Sequence, residues 1–138
     1  MRKAWIAFWC FAMAGGAVAD EASPGISIEL NTLVDTNGAC QATFVMTNRH
    51  AADIEQAVFE TVLFNTAGTV NRLTLFDFGT LPAGRPRVRQ FLIPDLACAD
   101  LGQVLINGVN TCVAPGLDPM ACATGLSVTS RVSVELIG

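Results

Sequence analysis

The chain has 138 residues, of which 51% are hydrophobic and 14% are charged, and its formal net charge is −4. This acidic balance speaks against a nucleic-acid partner and against docking on anionic lipid, because both interactions need a basic surface. The length suits a single domain that can bury its own core.

The N-terminus has the three parts of a secretory signal peptide. Two basic residues are followed by an apolar run over residues 4–14, and small residues then lead to Ala19. Cleavage after such a small-x-small site predicts residues 1–19 as the signal peptide and residues 20–138 as one exported domain. The apolar run is shorter than the roughly 20 residues of a membrane-spanning helix, so we expect no membrane span and a periplasmic or secreted location.

Alternating residues predict two strands at the start of the exported domain. Ile26–Val34 alternates between apolar and polar residues, Asp35–Gly38 has turn composition, and Cys40–Thr47 alternates again. Successive side chains of a strand point to opposite faces, so this pattern indicates strands with one buried face.

The segment over residues 53–64 permits two interpretations. Asp53 and Gln56 have the spacing of a helix cap, which favours a helix. Residues 57–65 are rich in β-branched and aromatic residues, which favours a strand. We favour the strand, preceded by a loop.

Four further strands complete the predicted domain. Turn-forming sequences separate apolar runs over residues 69–78, 88–93 and 103–109, and the last strand alternates over residues 126–136 with Ser130 as the one polar residue on its apolar side. Seven strands with almost no helical periodicity are typical of two packed antiparallel sheets. The sequence therefore predicts an all-β fold, a seven-stranded antiparallel β-sandwich.

Four of the five cysteines lie beyond the predicted cleavage site: Cys40, Cys98, Cys112 and Cys122. An even number of cysteines in an exported chain indicates disulfides. If strands alternate in direction, the first two cysteines lie at one end of the domain and the last two at the other. We therefore predict the pairs Cys40–Cys98 and Cys112–Cys122, since a Cys98–Cys112 bond would have to span one strand. A hairpin at Asn107-Gly108 would remove that objection.

Three short segments share a pattern of strand ends and turns: Leu63-Phe64-Asn65-Thr66-Ala67-Gly68, Phe44-Val45-Met46-Thr47-Asn48 and Leu81-Pro82-Ala83-Gly84. Over residues 40–93 they resemble the FxLyD and CARDB-like group of bacterial immunoglobulin-like domains. The resemblance implies an immunoglobulin-like fold and an accessory or binding role, and it supplies no catalytic residue.

The only histidine, His50, follows Arg49 in a predicted loop. A histidine acting as a general base needs a nucleophile or carboxylate set up beside it, and the sequence has no Gly-x-Ser-x-Gly motif. We therefore expect an exposed loop histidine and no enzymatic activity.

Three arginines, Arg85, Arg87 and Arg89, form a small basic cluster, in which the last two share a strand face. Such a cluster can bind a carboxylate or phosphate through paired N–H groups. Alternatively, it is a solvated face whose charges pair with acids such as Glu60 or Asp77 on neighbouring strands.

The main hypothesis is a non-catalytic binding module of the bacterial envelope that recognises a protein or envelope component. Loops on a rigid scaffold commonly carry recognition. The loop over residues 113–121, closed by the predicted second disulfide, offers Leu117 and Met120 as exposed apolar anchors. We expect no cofactor for this module. The edge strands of the sandwich could also accept a strand from a partner, because the edges carry few charges.

The alternative hypothesis is a periplasmic copper-handling protein. Thioether and thiolate sulfurs are the ligands that Cu(I) prefers. Met120 with free Cys112 and Cys122 would supply them. This hypothesis competes directly with the predicted disulfide, because one bonded pair cannot also provide two thiolates.

Overall fold

The computed structural model describes residues 15–16 and 23–138, so the predicted signal peptide lies almost entirely outside the described residues. Eight strands and one short 3₁₀ helix, Cys98–Asp100, make up the regular structure of these described residues. The strands are β1 (Ile26–Thr36), β2 (Ala39–Asn48), β3 (Gln56–Asn65), β4 (Val70–Asp77), β5 (Arg87–Pro94), β6 (Leu101–Val113), β7 (Ser127–Ser130) and β8 (Glu135–Ile137). A search of the described residues finds no helix long and apolar enough to cross a membrane.

The strands form two four-stranded sheets. The first sheet has the order β5-β2-β1-β7 and the second has the order β4-β3-β6-β8. Neighbours pair antiparallel except at one edge of each sheet, where β7 runs parallel to β1 and β8 runs parallel to β6. The all-β prediction is confirmed, the predicted number of seven strands is wrong, and the predicted antiparallel pairing holds for all but the two edge pairings with β7 and β8.

The eighth strand arises because the predicted last strand divides after Ser130. The Ser130 hydroxyl donates to the carbonyl of Val134 at 2.6 Å and accepts from the N–H of Val132 at 3.3 Å. These bonds satisfy the backbone where the chain leaves the first sheet and enters the second. Val134 and Leu136 then reach the core, at 6% and 4% exposure. The inward-facing pattern was therefore predicted correctly, but its two halves belong to different sheets.

The inward faces of the two sheets form one apolar core. Phe44 is fully buried and lies 5.6 Å from Phe76 and 5.7 Å from Phe78, measured between ring centroids. Phe76 on β4 stacks on Phe91 of β5 at 4.2 Å, which joins the two sheets along one edge. Burial of one such ring stabilises the fold by about 1.5–3 kcal/mol. Phe59 is also fully buried on β3, which confirms the strand interpretation of residues 57–65.

Both predicted disulfides are present. Cys40 and Cys98 have a Cα–Cα distance of 4.9 Å, and Cys112 and Cys122 have one of 6.0 Å. β6 passes through Asn107-Gly108 without a hairpin, so Cys98 and Cys112 lie at opposite ends of that strand, as the pairing argument requires. Disulfides persist in oxidising environments, and the two bonds therefore indicate a compartment outside the cytoplasm.

Candidate functional site

The second disulfide closes the loop over residues 113–121, here called the disulfide loop. Backbone hydrogen bonds give it a defined shape, since Leu117 donates to Ala114 at 3.0 Å and Ala121 donates to Asp118 at 2.9 Å. The Asp118 carboxylate also accepts from the N–H of Met120 at 2.8 Å, a side-chain turn typical of Asp. The loop therefore has a fixed local conformation as well as a covalent closure.

His50 attaches the disulfide loop to the end of β2. Its Nε2 lies 2.8 Å from the carbonyl oxygen of Ala121, and because that oxygen can only accept, Nε2 must carry the proton. The backbone N–H of His50 donates to the side chain of Asn48 at 2.9 Å. His50 is half-buried, so the prediction of an exposed loop histidine is wrong. The ring N–H of His50 thus supplies a hydrogen-bond donor to the Ala121 carbonyl.

Asn48 is the residue that sequence reasoning missed. It is fully buried, and its amide nitrogen donates to the carbonyls of Ala52 and Leu81, each at 2.9 Å. Removal of a buried polar partner costs about 1–3 kcal/mol, so Asn48 holds the segment that positions His50. The inward-facing series of β2 continues to this position, and a polar residue there was the available signal.

The two predicted anchors differ in exposure. Met120, near the end of the disulfide loop, is 60% exposed, whereas Leu117 is half-buried and packs against the core. Two concave surfaces meet at Met120. One has a volume of about 510 Å³ and is lined by His50, Leu117, Asp118, Met120, Ala121 and Thr124. The other has a volume of about 380 Å³ and is lined by Val109, Asn110, Cys112, Pro119, Met120, Cys122 and Ala123. Met120 is thus the residue that both concave surfaces share.

Arg87 and Arg89 share one face of β5, as the sequence predicted, and the guanidinium groups of both donate to nearby carbonyls. Arg85 is exposed, and Arg87 donates to the adjacent carbonyl of Pro86 at 3.0 Å. Arg89 donates to the carbonyl of Phe78 at 2.8 Å and to that of Thr80 at 3.2 Å. Arg89 therefore supports the segment after β4 by capping its carbonyl groups.

The acids suggested as partners for these arginines have other contacts. Glu60 accepts from the Asn107 amide at 2.6 Å, and Asp77 accepts from the Gln56 amide at 3.2 Å. Arg87 and Arg89 also lie on the inward side of β5, in register with Met46 and Phe44. The surroundings of Arg87 and Arg89 therefore differ from the second interpretation of the sequence, a solvated face on which the arginines pair with these acids.

The sulfur atoms proposed for a copper site are bonded to each other. A disulfide has no thiolate, so such a site at Cys112, Cys122 and Met120 requires the bond to be reduced first. Within the part of the chain that the structure describes, no group of three or more His, Cys, Asp or Glu residues is arranged to hold a metal ion.

Comparison with known proteins gives a similarity of fold and no match of sequence. Neither a protein-family model nor a curated protein sequence matches the chain. A solved structure of IrmA from Escherichia coli is similar over 77% of this chain and 92% of IrmA, with a TM-score of 0.56 and 9% sequence identity. At this identity the likeness concerns the fold alone.

Proposed function

We propose that this chain is a non-catalytic, exported binding module of the bacterial cell envelope with an immunoglobulin-like β-sandwich, and that it recognises a protein partner through the disulfide loop. The observation that carries the proposal is Met120, 60% exposed between two concave surfaces on a loop held at both ends. The resemblance to FxLyD and CARDB-like domains supports the same class of role.

The rigidity of the loop favours binding. Ordering of a flexible loop on association costs about 0.5–1.5 kcal/mol for each immobilised side chain. The disulfide loop is already ordered in the free protein by the Cys112–Cys122 bond, the Asp118 turn and the His50 contact, which reduces that cost. Methionine suits such a site, because its unbranched, polarizable side chain adapts to irregular apolar surfaces.

The proposed location follows from the N-terminus together with the disulfides. A cleaved signal peptide over residues 1–19 would deliver the chain to an oxidising compartment, where Cys40–Cys98 and Cys112–Cys122 can form. Recovery of the protein from the periplasm or from the medium distinguishes a periplasmic from a secreted location. N-terminal sequencing of the recovered protein then tests the cleavage. A start at Asp20 is expected, and an uncleaved N-terminus would contradict the proposal.

The binding role is tested with a matched pair of variants. Met120 and Leu92 are both 60% exposed, but Leu92 lies on β5 of the first sheet, outside the disulfide loop. Partners are captured from envelope extract on the immobilised protein, identified, purified and titrated against each variant. We expect Met120→Glu to weaken binding by about tenfold or more, because it places a charge at an apolar contact, and Leu92→Glu to leave it unchanged. Equal affinity of Met120→Glu and the unmodified protein would refute the assigned site.

A further inference from the structure

The outer face of the second sheet carries a continuous row of apolar side chains. Leu73 on β4, Val62 on β3, Leu105 on β6 and Ile137 on β8 are in register, one from each strand. Leu73 and the neighbouring Leu75 are 57% and 51% exposed. Val62 lies outside the core cluster and yet is only 7% exposed, because its neighbours in the row cover it. The row ends at β4, the edge of the sheet.

The four edge strands differ in how they are protected against pairing with another chain. Short strands, prolines and charges are the common means of protection. β7 and β8 have only four and three residues. β5 follows Pro86, ends in Pro94 and carries two arginines. β4 is eight residues long, contains no proline and has no charge between Arg72 and Asp77, so it is the edge that remains open to a further strand.

We propose that β4 is the docking edge for a second copy of this chain, with the two β4 strands antiparallel about a two-fold axis at Thr74. Leu73 then lies opposite Leu75 of the second copy, and the reverse contact is identical. Directly opposed side chains share one face of a sheet, so the two apolar rows join across an eight-stranded sheet. A shift by two residues in either direction places one of the leucines opposite Asn71 or Asp77 instead.

The charges of β4 select the same orientation. Arg72 lies towards the start of the strand and Asp77 ends it. Antiparallel pairing about Thr74 places Arg72 opposite Phe76 and Asp77 opposite Asn71, so no like charges meet, whereas in-register parallel pairing places each of these charges beside its own copy. Like charges directly across a strand pair are destabilising, which disfavours the parallel arrangement. The strand is therefore complementary to itself in its apolar contacts, and its charges disfavour the parallel alternative.

The oligomeric state of the purified protein tests this inference. Sedimentation equilibrium is expected to show a dimer for the unmodified protein. Leu73→Glu combined with Leu75→Glu should raise the dissociation constant by about tenfold or more, because carboxylates then face each other across the pair. The matched control is Val88→Glu combined with Leu92→Glu on β5, where the original residues are 55% and 60% exposed. It should leave the dimer intact.

A cross-linking variant tests the register independently of those substitutions. Residues directly opposed across an antiparallel pair have Cα atoms about 4.5–5.5 Å apart, within the range for a disulfide. Oxidation of Thr74→Cys should therefore give a covalent dimer on a non-reducing gel, and Gln90→Cys on β5 should not. A monomer in sedimentation, a dimer that survives the β4 substitutions or is lost with the β5 control, or no cross-link through Thr74→Cys would each overturn the proposal.

Discussion

The outer faces of the two sheets use the same alternation of side chains but differ in chemistry. On the first sheet, Gln41 donates to Gln90 and Gln90 donates to Thr43, each at 3.2 Å, so hydrogen-bonded polar side chains lie between the exposed Val88 and Leu92. On the second sheet, the corresponding positions hold the apolar row from Leu73 to Ile137. A half-buried strand needs only one apolar face. The two faces therefore differ in arrangement: the apolar side chains of the second sheet form one row across all four strands, whereas those of the first sheet are interrupted by polar side chains.

The largest expected effect comes from the inner faces, which both sheets share. Phe44→Ala should lower the free energy of unfolding by about 3–5 kcal/mol, because it leaves a cavity among the core phenylalanines. Thr43→Ala, on the outer face of the same strand, should change it by less than about 1 kcal/mol. Urea unfolding followed by circular dichroism measures both. Similar losses for the two variants would show that the inner and outer faces do not differ as described.

The next effects concern the disulfides. The Cys40–Cys98 bond closes a separation of 58 residues and the Cys112–Cys122 bond closes one of 10. The chain-entropy model gives about 4 kcal/mol for the first and about 3 kcal/mol for the second. Replacement of each pair by alanine, with unfolding measured in urea, should reproduce that order. A larger loss from the shorter loop would show that native contacts of the disulfide loop contribute more than chain entropy.

Mass measurement after alkylation distinguishes the structural cysteines from the copper alternative. We expect no thiol of the exported protein to react until a reductant is added. Free labelling of Cys112 and Cys122, with Cys40 and Cys98 protected, would instead favour a dithiol site beside Met120.

The smallest effect compares the outer faces directly. Val62→Thr should lower the free energy of unfolding by about 1 kcal/mol, because it places a hydroxyl under the apolar row. Val45→Thr, the same change on the central strand of the first sheet, should cost less than about 0.5 kcal/mol, since Val45 is half-buried beside Glu29. Equal costs would mean that the two faces have the same environment.

Much of the candidate site could be predicted from the sequence. The closed loop follows from cysteine spacing and strand count, and Met120 is exposed as predicted. The contact from His50 to Ala121 was not predictable, because the two residues are 71 positions apart. The contacts of Arg89 were not predictable for a similar reason, since the carbonyls to which it donates belong to the segment after β4.

The sequence by itself determined the all-β fold, most strand positions and the pairing of the cysteines. Strand alternation is a local, two-residue pattern, and it identifies which side of a strand is buried. Only the tertiary structure decided which strands pair, because hydrogen bonds between distant strands leave no local periodicity. The division at Ser130 shows this, since an unbroken inward-facing pattern crosses from one sheet to the other. The open edge of β4 is likewise a property of strand order, which the sequence pattern does not contain.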